Sequence, residues 1–312
     1  MRPDSDAVYT VRVMNALENN LAIACESCGA EMDIEPLMRT ARCPYCDSPA
    51  VVDRPRTEDR PDPVFAIGFT VDRTRAEGAI RKRIGGKWLA PRAFKRAHVE
   101  HLQGVYMPAY LWSAASDSIY SAVVGEVYYA SKFDLRKKRT RRERKIEFHE
   151  FKGEHASYVA DVVVSASRGL PNAEIEAIEP FDLEGLRRYS PALVSGWISE
   201  EPSLTVEECR RLARSEAESK LEGELRGFMP GDTLQKLKFH TRFRSESLDL
   251  VLLPVWVFAL RYHPSRPPVR YLVNGQTGDV HGKAPVSWAK IAAVAAAVVG
   301  LIGLIALIGS LL

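Results

Sequence analysis

Four of the five cysteines stand in two C-x2-C pairs, Cys25/Cys28 and Cys43/Cys46, with fourteen residues between the pairs. A C-x2-C turn aims two thiolates and nearby backbone amides at one point. Two such turns brought together by a hairpin make the tetrahedral four-sulfur shell that Zn²⁺ prefers. No fifth candidate ligand is close in sequence, so the expected site is closed and structural, whereas a catalytic zinc keeps a position for water. Iron in the same shell is the alternative that the spacing leaves open. A thioredoxin-like redox centre needs one C-x2-C at a helix start in a βαβ unit, and here two pairs share one short polar segment. That segment is too short to build a core of its own, so metal binding would supply most of its folding free energy. Cys209, within TVEECRRLARSEAESKLEGEL, is distant from the others and reads as a packed thiol.

Other combinations that could do chemistry fail on spacing. Gly86-Lys87 has no glycine five residues upstream and is followed by Trp88, which is not a phosphate-binding loop, and there is no GxSxG or GxGxxG. HEFKGEH places His149 and His155 six apart; a metalloprotease helix needs its histidines at i and i+4. On a strand the two would share a face, but about 20 Å apart. His98 and His101 sit at helical spacing without a third ligand. All seven histidines therefore read as structural or surface groups, no residue is nominated as catalytic, and the chain is expected not to be an enzyme.

The cysteines need a compartment, and the far end of the chain suggests one. IAAVAAAVVGLIGLIALIGSLL, residues 291–312, carries no charge and one hydroxyl, and at about 1.5 Å per residue it matches a hydrocarbon core of roughly 30 Å. A single transmembrane helix is expected at 288–312, with the lipid bilayer as partner through 291–312. Trp288 stands where an interfacial aromatic belongs. Lys283 and Lys290 precede the span and no charge follows it, so the positive-inside rule places residues 1–290 in the cytoplasm, tail-anchored to the inner membrane. The first residues lack the apolar region of a secretory signal. Disulfides are disfavoured in that reducing compartment. Ala292, Ala296 and Gly300 form a stripe of small residues that would admit a second helix, an oligomerisation face.

Composition is globular: 312 residues, 46% hydrophobic, 27% charged, formal net charge +3. The charge is unevenly spread, with RKR at Arg81 to Arg83 and RKKRTRRERK at Arg136 to Lys145, against a Glu-rich stretch at 172–224. The cluster 136–145 would attract anionic head groups or nucleic acid.

The expected architecture is α+β: an N-terminal extension (1–20), a small zinc ribbon (21–52), a Pro-rich charged linker (53–63), a mostly antiparallel body (64–285) and the terminal membrane helix. VFAIGFTV reads as a strand, and the residues from Asp72 to Gly104 as two helices broken at Gly85-Gly86. Segments near 104–130 and 250–282 share the order apolar–apolar–Pro, aromatic or aliphatic run, turn, second strand, and so read as two related β modules. NGQTG at 274–278 is turn chemistry. KIEFHEFKGEHASYVADVVVSAS alternates as strand, and Thr205 with Glu208 forms a capping box opening a helix to about Arg226.

The cysteine pairs, PAYLW (108–112), IEPFDL (178–183), LPVWVF (253–258), VNGQTGDVHGKAPVS (273–287) and the terminal helix occur in an order that resembles a bacterial family of membrane-anchored zinc-ribbon proteins. Members are often labelled primosomal helicase-like or as containing a transcription-factor-type zinc ribbon. The resemblance covers nearly the whole chain and implies structural Zn²⁺ on Cys25, Cys28, Cys43 and Cys46. The helicase label has no ATPase motor here to support it. One departure is Asp47, where such knuckles often place Gly, as Gly29 follows Cys28. Some relatives look like partners of stomatin/flotillin-type (SPFH) or phage-shock-type membrane proteins. The function expected is therefore a non-enzymatic, membrane-anchored adaptor presenting a cytoplasmic protein-binding surface in membrane-stress or membrane-organisation complexes. The alternative, less favoured, is nucleic-acid binding by the ribbon and the cluster 136–145.

Overall fold

A computed structural model describes residues 21–24, 31–35, 38–42, 49–52, 61–134, 139–263, 266 and 268–311. In chain order the elements are β1 (Leu21–Ala24), β2 (Glu31–Ile34), β3 (Thr40–Arg42), β4 (Pro49–Val51), β5 (Phe65–Ile67), α1 (Arg73–Gly85), α2 (Arg92–Lys95), β6 (His98–Asp134) and β7 (Arg139–Ser165). Then follow α3 (Asn172–Glu176), a 3-10 turn (Leu183–Gly185), β8 (Leu186–Arg188), α4 (Pro191–Val194), β9 (Ile198–Ser199), α5 (Val206–Phe228), β10 (Thr233–Arg261), β11 (Val269–Asn274), β12 (Val280–Gly282) and α6 (Trp288–Leu311). The chain divides into two compact units. The first holds residues 1–108, 167–203 and 251–312, the second 109–166 and 204–250.

In the first unit the strands lie in the order β12-β11-β10-β5-β8. β10 and β11 are antiparallel, with Trp256 opposite Val273 and Phe258 opposite Tyr271, whereas β5 runs parallel to β10. The Asp72 carboxylate accepts the Arg75 amide at 2.8 Å and caps α1, satisfying one of the orphan donors of its first turn. Ala76, Ile80 and Ile84 recur at four-residue intervals, which puts them on one helical face, and that face is buried with Phe94, Trp256, Phe258 and Tyr271. The helix stops at Gly85, as the glycine pair requires. His98 to Gly104 is a different case: it reads locally as helix but forms the start of β6, whose Val105 pairs with Ile198 of β9. Long-range pairing overrides local spacing there, which is ordinary for strand residues.

In the second unit β6 and β7 form a long antiparallel hairpin in register from Ala109–Ser165 to Asp134–Arg139, with one irregularity at Trp112/Ala114. β10 flanks β6 on the other side and runs opposite to it: Gly125 O accepts from Asp232 N, Ser118 bonds Thr241, and Trp112 donates to Glu246. α5 opens on the expected capping box, with Glu208 N donating to Thr205 Oγ1 at 3.2 Å and Thr205 N to Glu208 Oε2 at 2.8 Å. Its buried face is Cys209, Ala213, Ala217, Leu221 and Leu225, and the small side chains at the first three let the helix lie close over Tyr110, Trp112, Val162 and Val164.

Two parts of the expected architecture are corrected. Among the described residues no helix is long and apolar enough to cross a membrane, so the expected span at 288–312 and the single-pass inner-membrane placement with residues 1–290 cytoplasmic lose their basis. Lys290, expected as a flanking charge, donates instead to the carbonyls of Trp88 and Ala90 at 2.8 and 2.7 Å and pins the start of α6. Ala292, Ala296 and Gly300 are exposed on α6. The second correction concerns the metal-binding group: among the described residues, which do not include Cys25, Cys28, Cys43 or Cys46, no group of three or more His, Cys, Asp or Glu could hold an ion. The fold class is accordingly a mostly β α+β body, without a metal-binding group or a membrane-spanning helix among the described residues.

Candidate functional site

The four cysteines lie outside the described residues, but the strands around them do not. β1 pairs antiparallel with β2, the last pair before the connection being Ala24–Glu31, and Cys25 and Cys28 belong to that connection. β3 pairs with β4 up to Arg42–Pro49, and Cys43 and Cys46 belong to the connection there. Each C-x2-C thus falls between the strands of its own two-stranded hairpin. Such a hairpin is marginal without a further constraint.

The second hairpin is anchored by groups that sequence spacing did not reveal. Arg39, 7% exposed, donates through Nη2 to Oε2 of Glu201, 3% exposed, at 2.9 Å. Its guanidinium also stands 5.7 Å from the centre of the Tyr189 ring. Burial, the largest influence, works to lower the Arg39 pKa, but Glu201 and Tyr189 outweigh it and hold the group above its ordinary value. Thr40 Oγ1 donates to Trp197 O at 2.6 Å and accepts the Ser199 amide at 2.7 Å, and Arg39 N donates to Ser199 O at 2.7 Å. Beside this cluster, burial pushes the Glu200 carboxyl above its usual range, opposed by a Ser167 hydrogen bond and the Arg270 charge; its Oε2 has no hydrogen-bond partner among the described residues.

VNGQTG proves to be a hub of the first unit. Asn274 is fully buried; its Oδ1 accepts the amides of Gln276 and Thr277 at 2.8 and 3.1 Å, and its Nδ2 donates to the carbonyls of Ile178 and Pro180 at 2.9 and 3.1 Å. Gln276 continues the clasp, accepting the Asp182 amide and donating to the Asp182 carbonyl, both at 2.8 Å. Gly278 turns the chain at φ 86°, a conformation that side chains disfavour. IEPFDL and VNGQTG therefore hold each other across about ninety residues of sequence, and the side chains that do so are satisfied within the fold.

Among the described residues the histidines form no centre. His149 and His155 both lie on β7, opposite Val124 and Ser118, about 20 Å apart at strand rise, and His98 and His101 lie on β6 rather than on a helix. Cys209 is buried, its thiol donates weakly to Ser165 O at 3.7 Å, and burial followed by the Glu208 charge pushes its pKa up to about 12, which makes it a poor nucleophile.

The sheet of the second unit has one covered face and one open face. Ser118, Tyr120, Ala122 and Val124 point to the side that α5 covers. The odd-numbered residues of β6 and the even-numbered residues of β7 paired with them point away. Among these, Tyr158, Ile119, Phe148, Ile146 and Tyr129 are all exposed, the last 66%. The register sets Tyr129 opposite Arg144, Val127 opposite Ile146 and Gly125 opposite Phe148. A Cβ at Gly125 would collide with the Thr233 hydroxyl and come within 2.8 Å of Ile146 and 2.9 Å of Phe148, so these three side chains crowd over the glycine. Arg142 and Arg144 are exposed at its end; of the cluster 136–145, residues 136–138 lie outside the described residues and the rest is on β7.

No protein-family model matches the chain, and no solved structure matches it. A relative in Bacillus subtilis (strain 168), the uncharacterized protein YdjG, is 28% identical over 233 residues, covering 74% of this chain and 66% of the relative. The matched stretch is just under two thirds of that protein's length.

Proposed function

We propose that this chain is a non-enzymatic adaptor that binds a protein partner. The reading is supported by one contrast: the polar side chains of the hub are engaged internally, while the second unit leaves an apolar and aromatic sheet face in solvent, a feature that marks interaction sites. The resemblance in sequence suggests SPFH-type or phage-shock-type proteins as partners. Affinity capture with the full chain tests the reading: a protein recovered near one-to-one and cross-linked to residues of the second unit supports it, and recovery of no stoichiometric protein overturns it.

Zn²⁺ on Cys25, Cys28, Cys43 and Cys46 belongs to the same proposal. Each pair falls in the connection of a two-stranded hairpin, which fits a four-thiolate structural site. The ion would fasten two marginal hairpins and take part in no reaction. Elemental analysis should give one zinc per chain, and none after Cys25→Ser with Cys43→Ser; iron, or no metal in the unsubstituted chain, contradicts it.

A second reading, nucleic-acid binding, is favoured by the run of cations on β7. It predicts an affinity that falls steeply with added salt and weakens when Arg142 and Arg144 are neutralised.

A further inference from the structure

The open face of the second unit is not uniform, and its order of side chains specifies a partner more narrowly than adaptor binding alone. From Phe148 the strip runs through Ile146 and Val127 to Tyr129, then ends in Arg144 and Arg142. Phe148 and Ile146 are 47% and 38% exposed, and both stand close over Gly125, with the Thr233 hydroxyl beside them. Nearby cations of the same face are already matched: Arg244 pairs with Asp117 at 2.6 Å and Lys152 with Glu150 at 3.1 Å. Arg142 and Arg144 have no acidic partner among the described residues. Among the described residues the surface is thus an apolar strip with a positive end that no acidic side chain meets.

We infer that this strip docks a polypeptide segment presenting apolar side chains followed by carboxylates. The inference rests on the adaptor reading and names the chemistry of its partner. Apolar anchors would cover Phe148, Ile146 and Tyr129, and carboxylates would meet the two guanidinium groups in charge-assisted, bidentate geometry. Nucleic acid fits less well. Ile146 and Val127 offer no ring for base stacking, and the aliphatic stretch interrupts the run of cations that a phosphate backbone would track.

The test uses the full chain and fluorescent 16-residue peptides followed by anisotropy: one with Leu and Phe in its first half and Glu in its second, one with Lys in place of Glu, one of Glu alone, and a 20-nucleotide oligothymidine. The Leu/Phe/Glu peptide should bind at least tenfold more tightly than the other three probes. Phe148→Ser with Ile146→Ser should weaken it at least tenfold, and Arg142→Glu with Arg144→Glu should do the same while gaining affinity for the Lys peptide. These positions are exposed, and an unchanged unfolding midpoint confirms that the variants fold. Equal binding of the Glu and Lys peptides, indifference to both pairs of substitutions, or preferential binding of oligothymidine overturns the inference. If the peptides fail while affinity capture still yields a stoichiometric protein, the docking strip is wrong and the adaptor reading stands. If both fail, both fall.

Discussion

The VNGQTG hub and the open sheet face of the second unit are opposites in how they use their polar and apolar groups. At the hub a single buried Asn274 makes four hydrogen bonds to backbone, and Gln276 makes two more to Asp182. On the open face Tyr129, Ile146 and Phe148 contact solvent, with the charges of Arg142 and Arg144 beside them. The hub includes the most distinctive sequence in the chain, and its work is to hold loops of the first unit. The face is built from an ordinary alternating strand, and it is where a partner could gain from burial. A distinctive motif can thus serve architecture alone; satisfied polar groups point to architecture and exposed apolar ones to recognition.

Substitutions should separate the two regions by size of effect. Asn274→Ala strands two amides and two carbonyls, and since each buried unsatisfied group costs about 1–3 kcal/mol the loss should be about 4 kcal/mol or more in chemical denaturation. A loss under about 1 kcal/mol would show the hub to be incidental. Glu201→Leu leaves buried Arg39 with only the more distant Asp62 carboxylate, 3.7 Å away, and should cost about 3 kcal/mol, while adding Arg39→Met should restore most of it, because a buried pair is expensive to break and cheap to replace. No recovery in the double variant would mean that the pair contributes by more than charge.

A smaller effect is expected at Glu200. Its carboxyl pKa is raised in the folded state, by burial first, so the folded protein holds its proton to higher pH than the unfolded chain. Stability from this group is present below the ordinary carboxylate range and declines as pH rises through the raised value. Glu200→Gln should therefore unfold at nearly the same temperature as the unsubstituted chain at pH 4 and at a higher one at pH 7; a gap that closes with rising pH would reverse the assignment. The smallest effect on stability belongs to Tyr129→Ala, within about 0.5 kcal/mol, as for exposed positions generally, with loss of partner capture as the readout.

Local signals in the sequence carried a good part of the secondary structure. The Thr205/Glu208 box opens α5, the alternation of KIEFHEFKGEH gives β7, and Gly85-Gly86 ends α1. Period-two alternation locates a strand but not its covered side, and β7 has aromatic residues at both parities, Phe148 on one and Phe151 on the other. Which face α5 covers depends on packing between distant segments. The same limit hid the Arg39–Glu201 pair, whose partners are 162 residues apart. NGQTG was legible as a turn because Asn and Gly favour its backbone, but its grip on IEPFDL was not, since backbone carbonyls carry no sequence signal. His98 to Gly104 misled because helical spacing there is outweighed by strand pairing with distant residues.

Photo-cross-linking in the native host, with p-benzoylphenylalanine placed at Tyr129 in one version of the full chain and at Thr277 in another, distinguishes the open face from the hub as the place where a protein docks. Both positions are exposed, one on the open face and one at the hub. A discrete protein adduct is expected from position 129 and none from 277. A protein adduct from 277 alone, or an adduct at 129 that is nucleic acid and not protein, would contradict that expectation.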